Sequence, residues 1–230
     1  MKALQIFERD NKRIVTFLRC GHRYIEDLRD KKNNPFFQQT TSVVNENIRI
    51  SLFPYDGNKT FFIIRNPYEH FISSLIFSID TWHLESLRHT KTDFYLLEPK
   101  EKIRLVIEEM YYQRSNYHWV PDRYENIYKL LCDVDKKEND YEFIDLKNLT
   151  NFIKKEFKVV GKTTEKDYDY QFYEKDQVLK WLDEYKFNKF DKMLKRCEQE
   201  DYYYSLLKKK LIKKELCHDF PTYLTKFDFT

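Results

Sequence analysis

Four consecutive apolar residues, Phe61-Phe62-Ile63-Ile64, run straight into Arg65-Asn66-Pro67, and no other feature of the 230 residues constrains the fold as much. A strand that is apolar on both faces needs cover on both faces. That is the condition of a central strand in a parallel sheet with helices above and below. Asn66 suits a helix N-cap and Pro67 the first helical position. Tyr68, Phe71, Ile72, Leu75, Ile76 and Ile79 then recur at helical spacing and predict one buried stripe. The helix therefore begins at the carboxyl end of a central strand, where open α/β sheets bind their ligands.

An earlier junction has the same form. Residues 14–18 are a short β-branched apolar run that stops at Arg19-Cys20-Gly21, and a helix is predicted over 24–31, ended by Asn33-Asn34-Pro35. Residues 42–53 are rich in Val and Ile and predict a further strand, closed by the turn Pro54-Tyr55-Asp56-Gly57-Asn58. Beyond Thr81 the pattern is mainly helical. Helices are predicted over 100–114, 123–132 and 147–157, a strand over 141–146, a loop around Gly161, and one or two long helices over 174–216. Residues 218–230 look irregular. The chain reads as one domain over 1–230, with a core at 1–80 that holds both junctions and a mainly helical remainder at 81–230.

Composition removes several classes. With 19 Phe, 18 Tyr and 3 Trp against 3 Gly and 6 Pro, disorder and collagen-like structure are excluded. The net charge of +3 falls well short of a dedicated nucleic-acid binder. Cys20, Cys132, Cys197 and Cys217 are far apart and form no C-x-x-C pair, so reduced thiols are expected and a zinc ribbon is not. The charged N-terminus lacks the apolar stretch of a signal peptide, and no run approaches the about 18 apolar residues of a membrane span. A soluble, cytoplasmic chain without a membrane partner is the expectation.

A strand-to-helix turn aims backbone N–H groups and a positive dipole end at one spot, ready for an anion. Arg19, His22 and Arg23 add donors at the first junction; Arg65 adds one at the second, with Ser73 two turns along the same helix. Two such turns side by side describe a site for a ligand that is anionic at both ends. A strand-end arginine is as often a plain surface charge. The first turn is not a Walker A loop, since G-x-x-x-x-G-K-[ST] is absent.

The segment Arg65-Asn66-Pro67-Tyr68-Glu69-His70-Phe71-Ile72-Ser73 resembles the 3′-phosphate-binding motif of sulfotransferases, in which a strand-ending Arg is followed by x-Pro and, eight residues after the Arg, by Ser. Phe17-Leu18-Arg19-Cys20-Gly21-His22-Arg23-Tyr24 resembles that family's 5′-phosphosulfate loop, in the expected order upstream. Asn116-Tyr117-His118-Trp119-Val120-Pro121 resembles a His-Trp-x-Pro segment of carbohydrate sulfotransferases, and residues 141–152 resemble the strand-and-helix block that follows it. Lys162-Thr163-Thr164-Glu165-Lys166 is similar to a late cofactor-contacting segment of the heparan and uronyl 2-O-sulfotransferase group.

The resemblance implies a P-loop-like three-layer α/β fold, with a central, mainly parallel sheet flanked by helices and a helix-rich C-terminal half. It implies 3′-phosphoadenosine 5′-phosphosulfate as cofactor, adenosine 3′,5′-bisphosphate as product, no metal, and a carbohydrate or other hydroxyl-bearing acceptor. Arg19 would hold the 5′-phosphosulfate, with the amides of Cys20, Gly21, His22 and Arg23 around it. Arg65 and Ser73 would hold the 3′-phosphate, and Lys162, Thr163 and Thr164 would close over the nucleotide. The family's small Ser or Thr residues are replaced here by His22, Arg23 and Tyr24, so Arg23 takes over their binding. Glu46 is the first candidate for general base, His22 the second and His83 the third; His118 reads as structural.

Two other functions compete. One keeps the fold and binds a nucleotide or glycan without turnover. The other is a nucleic-acid or interaction protein using Lys208-Lys209-Lys210-Leu211-Ile212-Lys213-Lys214, a run that reads first as a solvated helix face. Tyr202-Tyr203-Tyr204 reads mainly as core.

Overall fold

The computed structural model describes residues 4–17, 20–40, 59–81, 96–112, 123–133, 141–159 and 174–211. Five strands form one sheet: β1 (Leu4–Arg9), β2 (Lys12–Phe17), β3 (Gln38–Thr40), β4 (Lys59–Ile64) and β5 (Tyr141–Asp145). Their order is β3-β1-β2-β4-β5. β4 lies between β2 and β5, parallel to both. β1 is antiparallel to β2 and to β3, so the sheet is only partly parallel where a mainly parallel one was expected.

The reason is a hairpin that sequence reading passed over. Asp10 and Asn11 both adopt positive φ, 52° and 57°. A two-residue turn of that conformation matches the twist of paired strands and returns the chain directly. Asp and Asn tolerate it better than most residues.

Seven helices are described: α1 (His22–Glu26), α2 (Pro67–Thr81), α3 (Pro99–Tyr112), α4 (Arg123–Asp133), α5 (Leu149–Phe157), α6 (Lys175–Tyr185) and α7 (Asn188–Lys208). A single 3-10 turn, Leu146–Asn148, leads from β5 into α5. The long helical stretch near the C-terminus is two helices, because Lys186 takes a left-handed conformation at φ 44° and stops α6.

The sheet alternates its side chains between two cores, as a pleated strand must. Phe61 and Ile63 pack with Ile25 and Leu28 and with Leu149, Ile153 and Phe157 of α5. Phe62 and Ile64 pack the other way, with Tyr124, Ile127, Tyr128 and Leu131 of α4 and Leu206 and Leu207 of α7. Helices thus cover both faces of β4, whose residues 61–64 are fully buried. A third cluster joins α2, α3, α6 and α7 through Phe71, Leu75, Ile103, Met110, Val178 and Met193.

The buried stripe of α2 is as read from its spacing, except at Tyr68, which is 43% exposed. In the first turn of α2 that ring stands clear of the helices packed lower down. The predicted strand over 42–53, the loop at Gly161 and the tail at 218–230 lie outside the described residues. Cys20 and Cys197 are free and buried. Cys132 is disulfide-bonded, against the expectation of reduced thiols throughout. Among the described residues, no helix is long and apolar enough to cross a membrane.

Candidate functional site

β2, β4 and β5 run in one direction, so their carboxyl ends share one edge of the sheet. Val15 pairs with Phe62 and Ile64 with Asp145, which sets Phe17, Ile64 and Asp145 along that edge. Each strand leads there into a helix: α1 after β2, α2 after β4 and α5 after β5. The two junctions read from the sequence are therefore neighbours.

The first turn is tied down by short local bonds. Cys20 N donates to Phe17 O at 2.9 Å, and Thr16 Oγ1 donates to Cys20 O at 2.7 Å. The Cys20 amide thus closes the turn, where the sequence reading had put it among the donors for a bound anion. Gly21 follows at φ 80°. A Cβ there would stand 2.5 Å from Leu149 Cδ2 and 2.8 Å from Leu146 Cδ1. Glycine is thus required twice, for the conformation and for the close approach of the third junction.

α1 begins at His22, earlier than the predicted start at residue 24, and ends at Glu26. His22 is buried at 8% exposure. Tyr24 packs against the Phe7, Ile14 and Phe61 core, so its bulk is stowed on the sheet. Arg23 is half-buried, and its guanidinium carbon lies 5.7 Å from the ring centre of Phe77 on α2. Phe77 sits one helical turn beyond Ser73 on the same face. The first junction thereby reaches the helix that carries the second.

The second turn has the local structure the sequence predicts. Asn66 Oδ1 accepts from Glu69 N at 3.1 Å, the bond expected of an N-cap, and Pro67 opens α2. Arg65 and Ser73 are both half-buried. Behind Arg65 stands Tyr124, whose hydroxyl accepts from Arg65 N at 2.9 Å and donates to Arg65 O at 2.6 Å.

α7 lies across this edge and bonds to the start of α2, the start of α4 and the end of β5. Glu200 accepts from Tyr124 N at 2.6 Å and Glu125 N at 3.1 Å, capping α4. Asp201 accepts from Asn66 Nδ2 at 3.2 Å. Tyr204 and Lys208 donate to Asp145 Oδ2 at 2.8 and 2.9 Å, and Lys147 N donates to its other oxygen at 3.0 Å. Burial alone would raise the Asp145 carboxyl. The bonds from Lys208, Lys147 N and Tyr204 outweigh it and hold the group below the ordinary aspartate range. Burial, with the Asp145 carboxylate beside it, pushes the Tyr204 phenol up, so that it remains a donor.

No family model, curated protein or solved structure matches the chain.

The structure thus brings Cys20, Gly21, His22, Arg23, Arg65 and Ser73 to one end of the sheet. Arg19, Glu46, Lys162, Thr163, Thr164, His83 and the segment 116–121 lie outside the described residues. Among the described residues, no group of three or more His, Cys, Asp and Glu is placed to hold a metal ion. The sequence does not single out Tyr124, Asp145 or Glu200 for a role here, and it reads Tyr204 mainly as core. The spacing of Glu200, Tyr204 and Lys208 at successive helical turns was a signal for the α7 stripe; nothing in the sequence singled out Tyr124. Lys208 and Lys210 stand 2.9 and 4.0 Å from acidic oxygens of β5, so the basic run is partly neutralised at its start.

Proposed function

We propose that the chain is a sulfotransferase of P-loop-like fold that moves a sulfuryl group from 3′-phosphoadenosine 5′-phosphosulfate to a hydroxyl of a carbohydrate acceptor. One observation carries the reading. β2 and β4 are parallel neighbours, so the turn after each opens on the same edge, and Arg23 beyond the first reaches Phe77 beyond the second. A nucleotide that is anionic at both ends spans such a pair of turns.

In this reading Arg65 and Ser73 hold the 3′-phosphate, and Arg19 and Arg23 hold the 5′-phosphosulfate. The acceptor oxygen attacks sulfur in line, a new S–O bond forms, and the S–O bond to the bridging oxygen breaks. The acceptor proton passes to a base. Glu46 has that role, because His22 is buried. A cation at the leaving oxygen stabilises the charge that develops there more in the transition state than in the ground state. By analogy with phosphoryl transfer, positioning and electrostatics supply most of the rate.

The test is transfer from labelled cofactor to a panel of glycan acceptors, run beside nucleotide binding. Transfer above background and micromolar affinity for adenosine 3′,5′-bisphosphate are expected. Absence of binding at millimolar nucleotide removes the proposal.

Binding without turnover is the second reading. It is favoured by the buried His22 and by the Cys20 amide being used inside its own turn, since both belong to the expected donor set. Its signature is intact nucleotide affinity with transfer at background across the panel.

A further inference from the structure

The ladder between β4 and β5 ends where Ile64 meets Asp145. The backbone N–H and C=O of the next residue, Arg65, need partners from elsewhere, because either one left unpaired at a half-buried site is costly. Tyr124 supplies both partners with one hydroxyl. Its oxygen accepts from Arg65 N at 2.9 Å, and its proton goes to Arg65 O at 2.6 Å. A side chain here extends the strand by one residue.

The residue that carries this hydroxyl is held in turn through its own backbone amide. Tyr124 is 1% exposed and Glu200 5%. The two Glu200 oxygens take Tyr124 N at 2.6 Å and Glu125 N at 3.1 Å, which fixes the first turn of α4. The Tyr204 ring lies 5.6 Å from the Tyr124 ring, centre to centre. Glu200 thus fixes Tyr124 at its amide, and Tyr124 fixes the Arg65 backbone with its hydroxyl, which links α7 to the end of β4.

We infer that Tyr124, held by Glu200, is a positioning residue that sets the direction in which Arg65 leaves the sheet, and so governs recognition of a phosphate at the nucleotide's 3′ position. This rests on the sulfotransferase reading. Arg65 acts on the ligand; Tyr124 acts through Arg65. An arginine displaced by a fraction of its reach loses the paired bonds that make it effective on a phosphate.

The experiment compares two nucleotides by calorimetry, adenosine 3′,5′-bisphosphate and adenosine 5′-monophosphate, on the full chain. Their affinity ratio isolates the 3′-phosphate. Tyr124→Phe keeps the ring and deletes the hydroxyl; it is expected to lower the ratio about tenfold, the loss typical of one charge-assisted contact, with 5′-monophosphate affinity within about twofold of the original. Glu200→Gln keeps the shape and one acceptor, and is expected to lower the ratio about threefold. Should Tyr124→Phe fail to fold, Glu200→Gln decides alone. A general loss of structure would weaken both nucleotides together, and that result, or an unchanged ratio, overturns the inference while leaving the parent reading intact. If the unmodified chain binds neither nucleotide, the reading and the inference fall together.

Discussion

Gly21 combines a left-handed backbone at φ 80° with a position against Leu146 and Leu149 that leaves no space for a methyl group. Gly21→Ala is expected to lower stability by about 2 kcal/mol, from backbone strain and displaced leucines together, read as a shift of the denaturant midpoint. Asn66→Ala deletes the bond to Glu69 N and is expected to cost about 1 kcal/mol in the same measurement. Asn66 was legible in the sequence because capping is local chemistry: the residue, the following proline and the helix lie within one turn. Tyr124 was not legible, because its partner is 59 residues away and only the packing of α4 on β4 brings them together. His22 was read as a candidate base and proves buried, since α1 starts early enough to turn that side chain inward.

α7 shows how an element acquires a role that its own periodicity does not announce. Its apolar residues join two different cores, and the polar stripe between them binds the ends of β4, α4 and β5. Asp145 is the β5 end of that attachment. Its carboxyl is held below the ordinary value in the folded state, so the stability it adds is present above about pH 4 and is lost as pH falls through the lowered value. Asp145→Asn is expected to cost about 1 kcal/mol at neutral pH, a modest figure because Lys208 is half open to water. Urea titrations across pH check the sign: the gap between the two proteins narrows as pH falls through the lowered Asp145 value. A gap that persisted in acid would mean that packing, rather than charge, holds α7 there. At this scale the pattern is legible where it is strong, as in the helical spacing of α2 and α3 and the unbroken apolar run of β4. It was read poorly where a short strand depended on a turn: β1 and β3 were passed over, although Asp10-Asn11 between two short runs with apolar centres was a hairpin signal.

Among the described residues, three parallel strands deliver three helix starts to one edge, α4 and α7 back it, and α3 and α6 pack on α2 and α7 beyond it. This arrangement follows from the four apolar residues of β4, which demand cover on both faces and so place β4 centrally. The two turns with arginines were legible in the sequence and stand at this edge, whereas the family-like segments at 116–121 and 162–166 fall outside the described residues. Arg65→Ala is expected to weaken adenosine 3′,5′-bisphosphate at least about thirtyfold, as loss of a bidentate phosphate contact should, read by calorimetry. The claim that one ligand lies across both turns is tested most directly by hydrogen exchange with and without adenosine 3′,5′-bisphosphate. Amides in residues 20–26 and in 65–73 should gain protection together and at the same nucleotide concentration. Protection of only one segment, or of neither, would contradict the account.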